Sequence, residues 1–399
     1  MYHRRKICDE VWDLATDRTI FFIAVILITV GIIFSLSLTT YTSLLTYNNE
    51  FHFFIRQLFT GIFSIFIMWA ISQLDPDRYF LPLGFTLFFL FLFLMTAMPF
   101  LPSSIVTEIG GAKRWIRLGP ISLAPVEFFK VGFITFLAWS FSRKLDDSHK
   151  SLKEEFKVFW PYFMVFGVVT YLIAIMQNDI GQVLVLGMVL IVMGSMAGTS
   201  TRFFTITMVG MVIVVIVAIA GSEHRILRVK SWWSNIQNMV LSFLPDSLAQ
   251  KLHVSEVYEP YQVSNAYDAI QNGGLFGQGL GNGTIKLGFL SEVHTDFILA
   301  GIAEELGILG VLIVIWLFFV LIFKMLKISN RSDNRVYSLF ALGIAIMFAA
   351  TFFINSFGVT GITPVKGLAV PFLSYGGSSL LSHSIAIGMI LMISKKVKY

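Results

Sequence analysis

Charge is what this sequence has least of. Only 13% of its 399 residues are Asp, Glu, Lys or Arg, against about a quarter in a soluble domain. That shortage, beside 56% hydrophobic residues and forty phenylalanines, excludes an ordinary water-covered surface around one aqueous core. Cysteine is absent except for Cys8, so neither an intramolecular disulfide nor a thiolate metal cluster can form. The short alternating segments of a membrane barrel are missing. No secretory signal is evident either, because the opening MYHRRKICDEVWDLATDR is polar and basic. The net charge of +5 is small, with Lys and Arg in short groups beside apolar segments, which is no footprint for nucleic acid.

What is present in excess is apolar length. The hydrophobic runs repeatedly approach or exceed the roughly 20 residues that cross a bilayer. They predict an all-α, polytopic membrane protein with about ten transmembrane helices, near 20–40, 55–74, 81–100, 123–141, 159–176, 181–198, 203–220, 296–323, 337–356 and 372–393. One membrane domain covers 1–399. Its expected parts include a cytoplasmic N-terminal segment (1–19), a large external loop between spans seven and eight (221–293) and a cytoplasmic tail (394–399). The basic groups HRRK, SRKLDDSHKSLKEEFK, KMLKISNRSDNR and KKVK share one side of this arrangement, which the positive-inside bias makes the cytoplasm. Two external stretches depart from that bias: GGAKRWIRLGP, with Lys113, Arg114 and Arg117, and HRILRVK, with Arg225, Arg228 and Lys230. Arg forks and Lys point charges beside one entrance suit a phosphate-bearing ligand.

The stretch SEVHTDFILAGIAEELG opens the eighth span. A carboxylate within a span costs roughly 2.5–3.5 kcal/mol on the insertion scale, so Asp296, Glu304 and Glu305 need a purpose. Thr295 or Ser291 is placed to cap the helix, which would set Asp296 in its first turn. Glu304, eight residues on, would share the face of Asp296, while Glu305 would turn toward a neighbouring helix. In the turn QNDIG, Asp179 is expected close to the membrane interface. His294 has no second histidine at ligand spacing, so the expectation is no tightly bound cofactor. A transient Mg2+ or other divalent cation at Asp296 would suit oxygen ligands. GGLFGQGLGNGTIKLGFL lacks the ending of a nucleotide-phosphate loop; its glycines let a loop fold tightly against the membrane domain. SWWSNIQNMVLSFLP reads as an interfacial amphipathic helix. Residues alone leave transport, lipid-linked transfer chemistry and a scaffold all open.

Four ordered motifs narrow this. GGAKRWIRLG, GGLFGQGLGNG, HTDFILAGIAEELG and GITPVKGLAVPFLSYGGSS together resemble the FtsW/RodA (SEDS) family of bacterial cell-wall polymerases, over nearly the whole chain. The resemblance implies a peptidoglycan glycosyltransferase that polymerises lipid II into β-1,4-linked glycan and releases undecaprenyl pyrophosphate. It implies the multi-pass inner membrane of a bacterium, enriched at the division septum. Implied partners are lipid II, the growing lipid-linked glycan, a class B penicillin-binding protein acting as division transpeptidase, and divisome regulatory membrane proteins. The family's essential acid falls on Asp296. Substrate binding falls on Lys113, Arg114, Arg117, Lys366, Glu127, Ser374 and Ser378, and a structural or helix-network role on Asp179, Glu304, Glu305, His294, Pro364, Gly367, Gly376 and Gly377. Three departures stand out: Asn178 replaces the usual proline before Asp179, APVE replaces a Gln-Pro-Ser-Glu pattern ending at Glu127, and Ser291-Glu292 replaces Pro-Glu. The glycine loop running directly into KLGFL resembles the division branch; an elongation-type polymerase and a lipid II flippase are the alternatives.

Overall fold

In the computed structural model of the chain, residues 16–109, 112–119, 121–145, 151–221, 223–242, 245, 250, 252–253, 261–290 and 292–397 are described. Most of the expected N-terminal segment (1–15), Cys8, Ser291 and part of the long loop lie outside them.

Each of the ten expected spans coincides with a helix: α1 Arg18–Tyr47, α2 His52–Gln73, α3 Pro76–Ala97, α4 Pro125–Lys144, α5 Leu152–Thr170, α6 Ile180–Met196, α7 Thr201–Ala220, α10 Ile298–Arg331, α11 Arg335–Val359 and α12 Gly377–Ser394. Between α7 and α10 lie α8 Glu223–Leu241 and α9 Tyr261–Gly273. Among the described residues, eight helices are long and apolar enough to cross a membrane. Of the other two, α6 has only 17 residues, and α4 carries Glu127, Lys130, Arg143 and Lys144. Helix starts follow local chemistry. Asp17, Asp75 with Pro76 behind it, Ser200 and Asn334 cap α1, α3, α7 and α11 through side-chain oxygens, each satisfying an amide that has no intrahelical partner.

The buried core runs through α4, α6, α11 and α12, whose large apolar side chains, such as Phe129, Phe141, Phe340 and Phe348, are fully covered. By contrast α7 buries only Phe203. One end of the bundle is tied by Lys324–Asp17 (3.3 Å), Lys396–Asp77 (2.9 Å) and the Glu155 carboxylate, which accepts from the Ser200 amide and hydroxyl, both at 2.6 Å.

At the opposite end the sequence reading needs three changes. First, GGAKRWIRLGP is not a plain loop: β1 Val106–Ile109, β2 Ala112–Leu118 and β3 Ile121–Leu123 form an antiparallel sheet in that order. Its face is anchored by Val106 and Ile116 against Met98. Second, HRILRVK is the first half of α8, so its arginines stand on a helix and not in a loop. The Trp232 indole of the same helix donates to the Gly361 carbonyl at 2.8 Å.

Third, the eighth span is not one helix. At Gly307 the backbone takes φ 68°, ψ −173°, and splits α10 into 298–306 and 308–331. Broken helices leave amides and carbonyls that lipid cannot satisfy. Here the glycine-rich loop supplies the partners: Gln278 N and Gly279 N donate to the Glu304 and Glu305 carbonyls, both at 2.9 Å, and Ile308 N and Leu309 N donate to the carbonyls of Gly274 and Leu275 at 3.0 and 3.3 Å. A Cβ on Gly277 would run into the Glu305 carbonyl, so only glycine permits the approach.

Candidate functional site

The loop ahead of α10 is where the acid sits, and it is fixed by its carbonyls. Tyr375 N donates to the His294 carbonyl (2.8 Å), Ser374 Oγ to that of Thr295 (2.6 Å), and Asn355 Nδ2 to that of Asp296 (2.7 Å). Asn355 also donates to the Leu368 carbonyl at 2.7 Å, joining the 361–374 segment to the same point. Asp296 is therefore not in the first turn of the helix. The helix begins at Ile298 with Phe297 as a cap that makes no side-chain bond, and Thr295 Oγ1 is turned instead to the Glu292 carboxylate at 2.7 Å. Three pinned carbonyls leave the Asp296 side chain as the free arm of a rigid loop.

Around that carboxylate the chain gathers cations. Arg114, on β2, donates to the carbonyls of Gln177 (2.9 Å) and Asn178 (2.7 Å) and lies 3.6 Å from Asp179. Arg225, on α8, donates to Asn178 Oδ1 at 2.7 Å and to the carbonyls of Ala174 and Ala218. The turn itself explains Asn178: its φ of 51° is left-handed, which a proline ring with φ near −65° could not adopt. Asp179 caps α6 by accepting from Gln182 N. The half-buried Asp296 has its pKa raised to about 7, chiefly by burial and then by the Glu292 and Asp179 carboxylates, while Arg114 and Arg228 pull the other way. Burial likewise pushes Asp179 up against the pull of Arg114. Lys366 is held below its usual range by burial and by Arg228 and Arg225. Gly367 packs its backbone on the acid, for a Cβ there would stand 2.9 Å from Asp296 Oδ2.

The structure thus brings together Asp296, Asp179, Arg114, Lys366 and Gly367, with Lys113 half-buried and Arg117 exposed on the same strand. Glu127 and Ser374 are buried, and Ser378 is half-buried. Glu127 is buried against Lys130 (3.0 Å) and Gln182 (2.8 Å). Ser374 Oγ accepts from Val370 N while donating to Thr295, and Ser378 Oγ accepts from Ala124 N while donating to the Ser122 carbonyl. With both roles of each hydroxyl taken, these serines are fasteners, and Glu127 belongs to a core ion pair. Glu304 does not share the face of Asp296 either. Its carboxylate accepts from Thr284 N and Ile285 N, while Glu305 pairs with Lys286 at 2.7 Å and accepts from Ser37 of α1. Both hold the glycine loop. His294 is buried among Phe53 and Tyr375, Pro364 lies in the segment leading to Gly367, and Gly376 and Gly377 open α12.

Sequence reasoning placed Arg228 beside the external entrance but not at the acid, and it missed Asn355. Arg228 was visible as charge, but its helix, and hence its approach to Asp296, was not. Asn355 had a signal: one amide inside the apolar run FFINSF needs a polar partner. Among the described residues no three His, Cys, Asp or Glu side chains gather to hold a metal ion.

This framework has known relatives. Residues 17–399 match the family model of the FtsW, RodA and SpoVE proteins, described as cell cycle proteins. A Helicobacter pylori protein named "Probable peptidoglycan glycosyltransferase FtsW" is 52% identical over 96% of this chain and all of its own length. One of the same name from Trichlorobacter lovleyi is 34% identical over 96% of this chain and 94% of its own. Two solved structures share the fold. The rod shape determining protein RodA of Thermus thermophilus has a TM-score of 0.63 at 20% identity, covering 97% of this chain and 99% of that one. A chain from a structure titled "Structural coordination of polymerization and crosslinking by a peptidoglycan synthase complex" has a TM-score of 0.69 at 22% identity, covering 96% and 98%. With the family model matching residues 17–399 and a relative 52% identical over nearly the whole chain, this chain belongs to the FtsW/RodA/SpoVE family.

Proposed function

We propose that the chain is a peptidoglycan glycosyltransferase of the division branch, polymerising lipid II at the outer face of the bacterial inner membrane. The curated relatives' names carry the activity, and the observation that carries the mechanism is Asp296 on a loop pinned at three carbonyls, with burial pushing its carboxyl up to about 7. A general base works best when its pKa lies near the operating pH. The acceptor sugar's 4-hydroxyl oxygen bonds to the donor's anomeric carbon as that carbon's bond to the pyrophosphate oxygen breaks. The hydroxyl proton passes to Asp296, and the pyrophosphate leaves with the bonding pair. Inversion at that carbon gives the β-1,4 linkage. Charge building on the leaving group is offset by Lys113, Arg114, Arg117 and Lys366. A divalent cation at Asp296 would draw its other ligands from substrate oxygens.

A class B penicillin-binding protein crosslinks the strands, a partnership supported by the synthase-complex title of one structural neighbour. A stripe on α10, Leu312, Trp316, Phe319 and Phe323, is exposed to the surroundings and repeats at helical spacing. It supports α10, the eighth span, as the surface for a partner's membrane helix, whereas α11 lies largely in the core. Photocrosslinkers placed in that stripe should capture the division transpeptidase in cells; capture of only the elongation transpeptidase would reassign the branch. For the activity, Asp296→Asn keeps shape and removes the base, so polymerisation of lipid II should fall by roughly 10²–10⁴-fold. Near-normal polymer at matched protein would end this assignment. Proteoliposomes in which Asp296→Asn flips lipid II while wild type makes no polymer would replace it with transport.

A further inference from the structure

Arg228 is exposed and near enough to Asp296 for their charges to act on each other, and what holds it there is indirect. It stands on α8 between two fastenings. On one side the Trp232 indole donates to the Gly361 carbonyl at 2.8 Å. On the other, the half-buried Arg225 donates from Nη1 to the Ala218 carbonyl at 2.9 Å, and from Nη2 to the Ala174 carbonyl at 3.1 Å and to Asn178 Oδ1 at 2.7 Å. The two carbonyls have a common origin. Ala218 lies in the last turn of α7, and Ala174 in the π-helical turn Tyr171–Met176 that ends the fifth span. Helix ends leave carbonyls that no following amide reaches, and a planar guanidinium serves two of them at once.

The third acceptor is a matter of sequence. Asn178 stands where the family pattern has proline, which would offer no side-chain oxygen and could not take the φ of 51°. Asparagine is among the few residues besides glycine that enter the left-handed region readily. One residue thus supplies both the bend and the shortest of the three bonds to Arg225. Its main chain is gripped as well: Arg114 of β2 donates to the Asn178 carbonyl at 2.7 Å and lies 3.6 Å from Asp179. Asn178 therefore ties two separate elements, β2 and α8, to one point, and each brings an arginine whose charge acts on Asp296.

We infer that Asn178 and Arg225 are positioning residues for the transfer reaction, a lock between the turn before α6 and the start of α8 that holds Arg228 at the acid. The inference rests on the glycosyltransferase reading for its kinetic consequence and on geometry alone for its structural one. Asn178→Gly keeps the left-handed turn and removes the oxygen. It should lower kcat/KM for lipid II polymerisation about tenfold, yet add less than about twofold in an Arg228→Ala background, because residues acting through one network are not additive. Asn178→Asp, which restores an oxygen and tolerates the turn, should recover most of the loss. Arg225→Met should match Asn178→Gly and show the same dependence on Arg228. In a Cys8→Ser protein in nanodiscs, nitroxides at the exposed positions Glu50 and Leu227 should give a narrow distance distribution. Asn178→Gly should broaden it and Asn178→Asp should not. Full additivity of Asn178→Gly with Arg228→Ala, a loss that Asn178→Asp fails to recover, or an unchanged distance distribution would overturn the lock. Wild type that polymerises while Asn178→Gly matches it in rate and distance loses the lock alone. Wild type that makes no polymer, yet shows the change in distance, keeps the lock and loses the polymerase.

Discussion

Asp296 faces two acids and two arginines at once, and its titration reports that balance. As a base it must be unprotonated, so polymerisation should rise with pH through about 7, where its pKa is placed. Arg228 lowers that pKa; Arg228→Ala should shift the rising limb to higher pH, and a limb that stays in place would remove Arg228 from the site. Stability runs the other way. A carboxyl whose folded pKa is raised favours folding below its unfolded value near 4, and that contribution is lost as pH rises through about 7. At pH 8 Asp296→Asn should therefore melt no lower than wild type in detergent, and above it if burial dominates as it does here. Arg114 was legible from its basic motif, whereas Asn355 and Arg228 depend on which helix ends meet.

Elements carry the second set of constraints. The split of α10 at Gly307 is sustained by the glycine loop and by the buried Lys286–Glu305 pair, with Ser37 bridging from α1. Removing one member of a buried pair leaves the other charge uncompensated, a loss of roughly 3–5 kcal/mol. Glu305→Ala should lower the thermal midpoint sharply, and the double variant Lys286→Met with Glu305→Leu should recover most of it. Equal melting of Glu305→Ala and wild type would show that the loop is held by its backbone bonds alone. The glycines announced a tight loop, but HTDFILAGIAEELGILGVLIVIWLFF reads as one unbroken helix. Gly307 is one glycine among several, and only the loop's approach distinguishes it.

At the scale of the molecule, the bundle has two unlike ends. One joins Asp17, Lys324, Asp77, Lys396 and Glu155, and the other holds the sheet, α8 and Asp296. We propose the first as the cytoplasmic end. In a Cys8→Ser background, single cysteines at Lys113 and Lys366 should react with an impermeant maleimide in intact cells, and one at Arg331 should not. Labelling at Arg331 would invert the arrangement.

The sequence by itself determined where the apolar helices lie, because a run of about 20 apolar residues has few alternatives to crossing lipid. It also singled out Asp296 and Arg114, since charge is rare enough here for each instance to carry meaning. Only the tertiary structure decided that Asp296 precedes its helix, that Glu304 and Glu305 hold a loop, and that Ser374, Ser378 and Glu127 are internal fasteners. The reason is one of range. Burial in lipid is a property of a segment and its composition, whereas the partner of a carboxylate or hydroxyl is chosen by packing, which joins Glu305 to Lys286, 19 positions away, and to Ser37, 268 positions away.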